Sequence, residues 1–181
     1  MSLKIQRDRL RSILLERSVE FGEFTLSSGE KSALYIDARK TTLDPEGARL
    51  CAEIFLAEFS KTPLASAIGG PTLGADPIVG AMLALCEDSD PRGFIVRKSE
   101  KGHGTRRLIE GGLAEGDIAM MVEDVVTTGG SARRAIEAVR AAGAEVSKVA
   151  AVVSRAKTAN PFADECIDFF SIFEEKDLLS G

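Results

Sequence analysis

Three cysteines, one histidine and no long apolar run bound what this 181-residue chain can be. Cys51, Cys86 and Cys166 are odd in number and far apart, and none belongs to a C-x-x-C pair. Neither a disulfide framework nor a zinc site fits them, and they are expected as small core residues in a reducing, cytoplasmic setting. No stretch has the length and apolarity of a membrane span, and Met1 to Glu20 is too dense in charge for a signal peptide. Repeats and low-complexity segments are missing as well. The formal net charge of −5 sets nucleic acid aside as the main partner. What remains is one domain's worth of chain, with ordinary apolar and charged fractions and enough length for a full core without staples.

The most informative segment runs from Ile118 to Ser131. An apolar run of strand length delivers two adjacent acids, Glu123 and Asp124, and Thr127-Thr128-Gly129-Gly130-Ser131 then turns into a helix. A helix start leaves backbone N–H groups without partners, aimed at one point, with the positive end of the helix dipole behind them. Such a place suits a phosphate. The hydroxyls add donors, and the glycines let the backbone come close. The acids would repel a bare phosphate, so they make sense only if the ligand also carries hydroxyls that donate to them, as a ribose diol does. The loop is not a Walker A motif, because the lysine of that motif is missing.

One stretch reverses the acidic background. Between Arg97 and Arg107, five Lys/Arg stand against one Glu, with His103 set between two glycines. The stretch has no helical period and reads as a mobile cationic loop. Elsewhere the spacing predicts an amphipathic helix over 4–16 and strands within 18–37, broken at Ser27-Ser28-Gly29. A helix is expected from Asp44-Pro45-Glu46 to about Phe59. Strands are expected at 64–68, 93–96, 118–122, 146–153 and 166–173, with helices at 73–86 and 131–142, the latter closed by Gly143. Short apolar strands alternating with helices imply an α/β fold with a mostly parallel sheet covered on both faces. Gly69 to Gly74, the basic loop, Glu123 to Ser131 and Ser154-Arg155 each follow a strand directly. In such sheets ligands sit at the carboxyl ends of the strands.

These segments together resemble a known family. The acid pair with Thr-Thr-Gly-Gly-Ser resembles the phosphoribosyl pyrophosphate motif of type I phosphoribosyltransferases. Phe24 to Asp37 is similar to the N-terminal signature of the orotate phosphoribosyltransferases, and Gly69 to Pro77, which includes Thr72, to their pyrophosphate-side loop. Arg97-Lys98-x-x-Lys101-x-His103-Gly104 matches their catalytic loop, and Arg155 falls where they carry a base-contacting arginine. The resemblance spans nearly the whole chain in the right order, and the basic loop is its most specific element.

The resemblance implies the type I phosphoribosyltransferase fold over residues 1–181: a mostly parallel central sheet with flanking helices and a small N-terminal hood built mainly by residues 1–40 and the C-terminal segment. The implied reaction joins orotate and phosphoribosyl pyrophosphate to give orotidine 5′-phosphate and pyrophosphate. Lys101, His103 and Asp124 are the implied catalytic residues. Arg97 and Lys98 would help gather the leaving pyrophosphate. Glu123 and Asp124 would take the ribose hydroxyls, and Thr127, Thr128, Gly129, Gly130 and Ser131 the 5′-phosphate. Arg155 offers a planar fork for orotate's carboxylate, and backbone groups near Tyr35 and Ile36 would read the pyrimidine edge. Mg2+ is the implied cofactor, held largely by substrate oxygens and water, so no protein metal ligands are expected. A homodimer sharing the loop 97–107 across its interface is also implied. Some relatives carry lysine where Ser27 and Leu73 stand. A phosphoribosyltransferase for a purine base and a non-catalytic sensor of phosphoribosyl pyrophosphate are the alternatives. The first would lack the basic-loop motif, and the second should show an added basic module or a lost loop cation.

Overall fold

The computed structural model describes residues 2–25, 31–86, 91–99 and 108–179. Helix α1 (Leu3–Arg17) begins at Ser2 and buries Leu10, Ile13 and Leu14. Strands β1 (Val19–Thr25) and β2 (Lys31–Ile36) pair antiparallel as a small sheet of their own. A short helix α2 (Arg39–Thr42) leads into α3 (Pro45–Phe59). The start of α3 follows from its sequence: Asp44 Oδ1 accepts the N–H groups of Glu46 and Gly47 at 3.1 and 3.0 Å, and Pro45 fills the first helical position.

The rest of the chain alternates strand and helix: β3 (Ala67–Pro71), α4 (Asp76–Ala84), β4 (Arg92–Val96), β5 (Ile109–Gly111), β6 (Ile118–Val126), α5 (Gly130–Ala141), β7 (Glu145–Ser154), β8 (Asp168–Glu174) and α6 (Glu175–Leu179). The larger sheet has the order β5-β4-β3-β6-β7-β8, parallel throughout except where β5 meets β4. Along β6, Met120 and Val122 join one apolar cluster with α1, α3 and α4, while Ala119 and Met121 join another with α5. Alternate residues therefore serve opposite faces, and both faces are covered. The order turns back at β3. The chain steps outward from β3 to β4, then returns as β6 on the other side, which opens a crevice at the carboxyl ends of β3 and β6.

The structure shifts several expected boundaries. The strand expected at 64–68 lies at Ala67–Pro71, and the helix expected from Leu73 starts only at Asp76. Thr72 to Ala75 are occupied by a loop that Thr72 Oγ1 ties to Asp76 Oδ2 at 2.8 Å, with Pro77 in the first turn of the helix. That helix ends at Ala84, two residues before Cys86. Strand β6 runs past 122 to Val126, so both acids belong to the strand. The last strand begins at Asp168, because Cys166 adopts φ 57° and ends a turn there. Gly143 closes the region after α5 at φ 82°, as a C-terminal glycine should. Among the described residues no helix is long and apolar enough to cross a membrane.

Candidate active site

The two acids lie at the crevice and are largely dry. Glu123 is 6% exposed, and Asp124 Oδ1 accepts the N–H of Val125 at 2.8 Å. The loop after β3 closes over them at Gly74. A Cβ there would fall 2.4 Å from Asp124 Oδ1 and 3.1 Å from Glu123 Oε2, so any larger residue would have to push the acids aside. Burial, reinforced by the charge of Asp124, pushes the Glu123 carboxyl up to about 8, while Lys98 and Arg134 pull it the other way. Burial also raises Asp124, against the N–H of Val125 and the charge of Arg39. Asp117 at the opposite end of β6 shows the contrast: hydrogen bonding to Arg92 outweighs burial and holds it down at about 2.

A carboxyl whose native value stands above its ordinary 4.5 favours the folded state below that pH, and the contribution is lost as pH rises through about 8. Glu123→Gln is therefore expected to raise the melting temperature of the free protein more at pH 8.5 than at pH 5. For a chain of this size each kcal/mol corresponds to roughly 2–4 °C. Melting curves at the two pH values check this, and an equal shift at both would contradict it.

Beyond the acids, the chain turns at Gly129, whose φ of 78° suits glycine and whose Cβ would meet the Phe162 ring at 2.8 Å. Gly130 then opens α5, which has no side chain capping its first turn. A cavity of about 610 Å3 opens onto this cradle and brings together Tyr35, Ile36, Glu123, Thr127, Thr128, Gly129, Gly130, Ser131 and Arg155. Arg155 is placed by the β6–β7 ladder, which continues past the strand ends: its N–H donates to the Val126 carbonyl at 2.8 Å.

A second cavity of about 340 Å3 adjoins the first and holds Thr72, Arg97 and Lys98. The Thr72 N–H donates to the Val96 carbonyl at 2.9 Å and the Arg97 N–H to the Leu108 carbonyl at 2.8 Å, so both loops leave the sheet side by side. The Thr72–Leu73 peptide is cis. Asp124 lies under Gly74 and is not among the residues facing either cavity. Lys101 and His103 lie outside the described residues, as does Ser27. Leu73 is exposed and borders a shallow depression with Asp37 and Arg39.

Sequence reasoning passed over three residues here. Arg134 faces both cavities, with Nη2 3.3 Å from Ser131 Oγ. Its position one helical turn after Ser131 was a usable signal. Arg39 stands near enough to Asp124 to offset its raised value. Glu175 holds the guanidinium of Arg155. No local pattern announced the last two.

Among the described residues no group of three or more His, Cys, Asp or Glu could hold a metal by itself. One buried and one half-buried acid beside a phosphate cradle fit a magnesium ion carried mainly by substrate oxygens.

A mostly parallel sheet that turns back beside an acid pair on its central strand, with a Thr-Thr-Gly-Gly-Ser cradle at the next helix start, defines a type I phosphoribosyltransferase. No family model matches the chain. It is 41% identical over 181 residues to the orotate phosphoribosyltransferase of Thermosynechococcus vestitus, covering 98% of this chain and 95% of that one. The fold matches the orotate phosphoribosyltransferase of Mycobacterium tuberculosis H37Rv in complex with Fe(III) dicitrate at a TM-score of 0.82, with 37% identity over 96% of this chain and 98% of that chain. The same enzyme in complex with 5-phospho-α-D-ribosyl 1-diphosphate matches at 0.76 with 32% identity, with the same coverage of both chains. The chain belongs to the orotate phosphoribosyltransferase family.

Proposed function

We propose that this chain transfers the ribose 5-phosphate group of phosphoribosyl pyrophosphate to orotate, releasing pyrophosphate and giving orotidine 5′-phosphate for pyrimidine synthesis in the cytoplasm. The observation that carries this reading is a single cavity joining a helix-start cradle, a buried acid and an arginine fork. The open N–H groups of Thr127 to Ser131 bind the 5′-phosphate. Glu123 and Asp124 accept hydrogen bonds from the ribose hydroxyls, and the charge of Asp124 favours the positive charge that builds on the ring as the anomeric bond breaks. Arg155 pairs with the orotate carboxylate, and the backbone near Tyr35 and Ile36 reads the opposite edge of the base.

Charge accumulates on the departing pyrophosphate. Arg97 and Lys98 in the adjoining cavity meet it there, with Thr72 lining the neighbouring loop, and Lys101 and His103 complete the cationic set. Arg134, shared by both cavities, adds a cation between the two ends of the substrate. When bound, Mg2+ supplies further neutralisation of the phosphate oxygens. The β1–β2 sheet serves as the hood over the base end. The active form is a homodimer in which the loop 97–107 of one subunit completes its neighbour's site.

Arg155→Ala tests the orientation of the substrates. Removing one partner of a charged hydrogen-bonded pair costs on the order of 2–5 kcal/mol. The KM for orotate should therefore rise at least about thirtyfold, while the KM for phosphoribosyl pyrophosphate stays within about threefold. Steady-state kinetics with each substrate varied in turn provide the measurement. Equal damage to both substrates would overturn the assignment of Arg155 to the base.

A further inference from the structure

Arg155 is held by a carboxylate that none of the roles above employs. Its Nε and Nη2 both donate to Glu175 Oε1, at 3.0 and 2.7 Å. The arginine side chain is only 11% exposed and that of Glu175 31%, so the pair is partly shielded from water. Charge-assisted bonds of this kind fix orientation as well as adding energy.

Glu175 is the first residue of α6, and α6 is itself fastened. Leu178 is buried at 1% exposure, and Asp177 Oδ2 accepts the Glu174 N–H at 2.9 Å. Arg11 Nε, from α1, donates to the Asp177 carbonyl at 2.7 Å. Arg7 ties down the preceding strand through the Ile172 carbonyl at 2.6 Å and lies over the Phe173 ring. The carboxylate thus has a fixed place, and the backbone of Arg155 has one through Val126. A long flexible side chain is anchored at both ends.

The anchoring matters because Arg155 forms part of two walls. One side faces the main cavity, and the other faces a separate polar cavity of about 400 Å3 bordered by Lys157, Thr158, Glu174 and Lys176. Without a fixed partner the guanidinium could turn toward either space, and a substrate carboxylate would have to bear the entropy of choosing one.

We propose that Glu175 is a positioning residue that holds the Arg155 guanidinium at the orotate end of the main cavity, which makes the C-terminal helix α6 part of base recognition. This rests on the reading that Arg155 contacts orotate. The test compares Glu175→Ala, Glu175→Gln, Arg155→Ala and the double variant Arg155→Ala/Glu175→Ala, with KM for each substrate, kcat and melting temperature as readouts. Glu175→Ala should raise the KM for orotate about tenfold while that for phosphoribosyl pyrophosphate stays within about twofold. Glu175→Gln keeps the Oε1 acceptor and should recover most of the loss. Because Glu175 acts through Arg155, the double variant should be no worse than Arg155→Ala alone. An orotate KM unchanged in Glu175→Ala, or losses that multiply in the double variant, would overturn the positioning role. So would a uniform drop in melting temperature and in both substrates' affinities. An unaffected Arg155→Ala enzyme would instead overturn the reading of Arg155 itself, which separates the two failures.

Discussion

Asparagine in place of Asp124 is expected to lower kcat/KM for phosphoribosyl pyrophosphate by about 30- to 1000-fold and to leave the free protein at least as stable as before. The activity loss follows from removing an acceptor charge in a dry site, where a charged hydrogen bond is worth on the order of 2–4 kcal/mol. The stability claim follows from the local structure. Asn retains an Oδ1 able to accept the Val125 N–H, and Gly74 already leaves room for a side chain of this shape. Burial raises the value of the Asp124 carboxyl, so the charge is a burden on the fold that the neutral amide relieves. Kinetics with varied phosphoribosyl pyrophosphate and a thermal melt without ligand test both halves. A melting temperature lower by many degrees would mean that the acid pair serves the fold instead of the substrate.

The second large effect belongs to the basic loop. Lys101→Ala is expected to lower kcat by about 100- to 1000-fold, the range seen when one donor to developing charge is removed. Asp124→Ala disables the pocket instead. If the loop of one subunit completes its neighbour's site, a mixed dimer of these two variants has one site with both defects and one with neither. Random re-association of equal amounts makes about half the dimers mixed, so activity should return to roughly a quarter of wild type. If each loop serves its own subunit, every site keeps one defect and mixing restores nothing. Inactivity that persists once native mass measurement shows that the subunits have exchanged would contradict the shared site.

Local chemistry was legible in the sequence, and distant pairing was not. The Asp44-Pro45 start of α3, the acid pair, the glycine turn and the onset of α5 all depend on neighbours within a few residues, and the structure shows each of them. The rim of strand ends could be foreseen because each suggestive segment directly followed an apolar run, and the parallel ladders place Val126 beside Ser154 and Pro71 beside Val96. Strand β5 and helices α2 and α6 carried no signal, since three to five residues are too few to show a period. The delayed start of α4 was obscured by the apolar Leu73, which the structure leaves exposed in a loop. The hold of Glu175 on Arg155 arises only when β8 pairs with β7 and sets α6 beside the end of β7. The raised value of Glu123 comes from burial under a loop some 50 residues earlier in the chain, which composition does not reveal.

The most direct test is the loss of orotate absorbance when the purified protein meets phosphoribosyl pyrophosphate and Mg2+, with adenine and hypoxanthine supplied in parallel reactions. Orotate should be consumed in step with pyrophosphate release while neither purine is converted. Conversion of a purine with orotate untouched, or binding of phosphoribosyl pyrophosphate with no turnover of any base, would contradict an orotate-specific transferase.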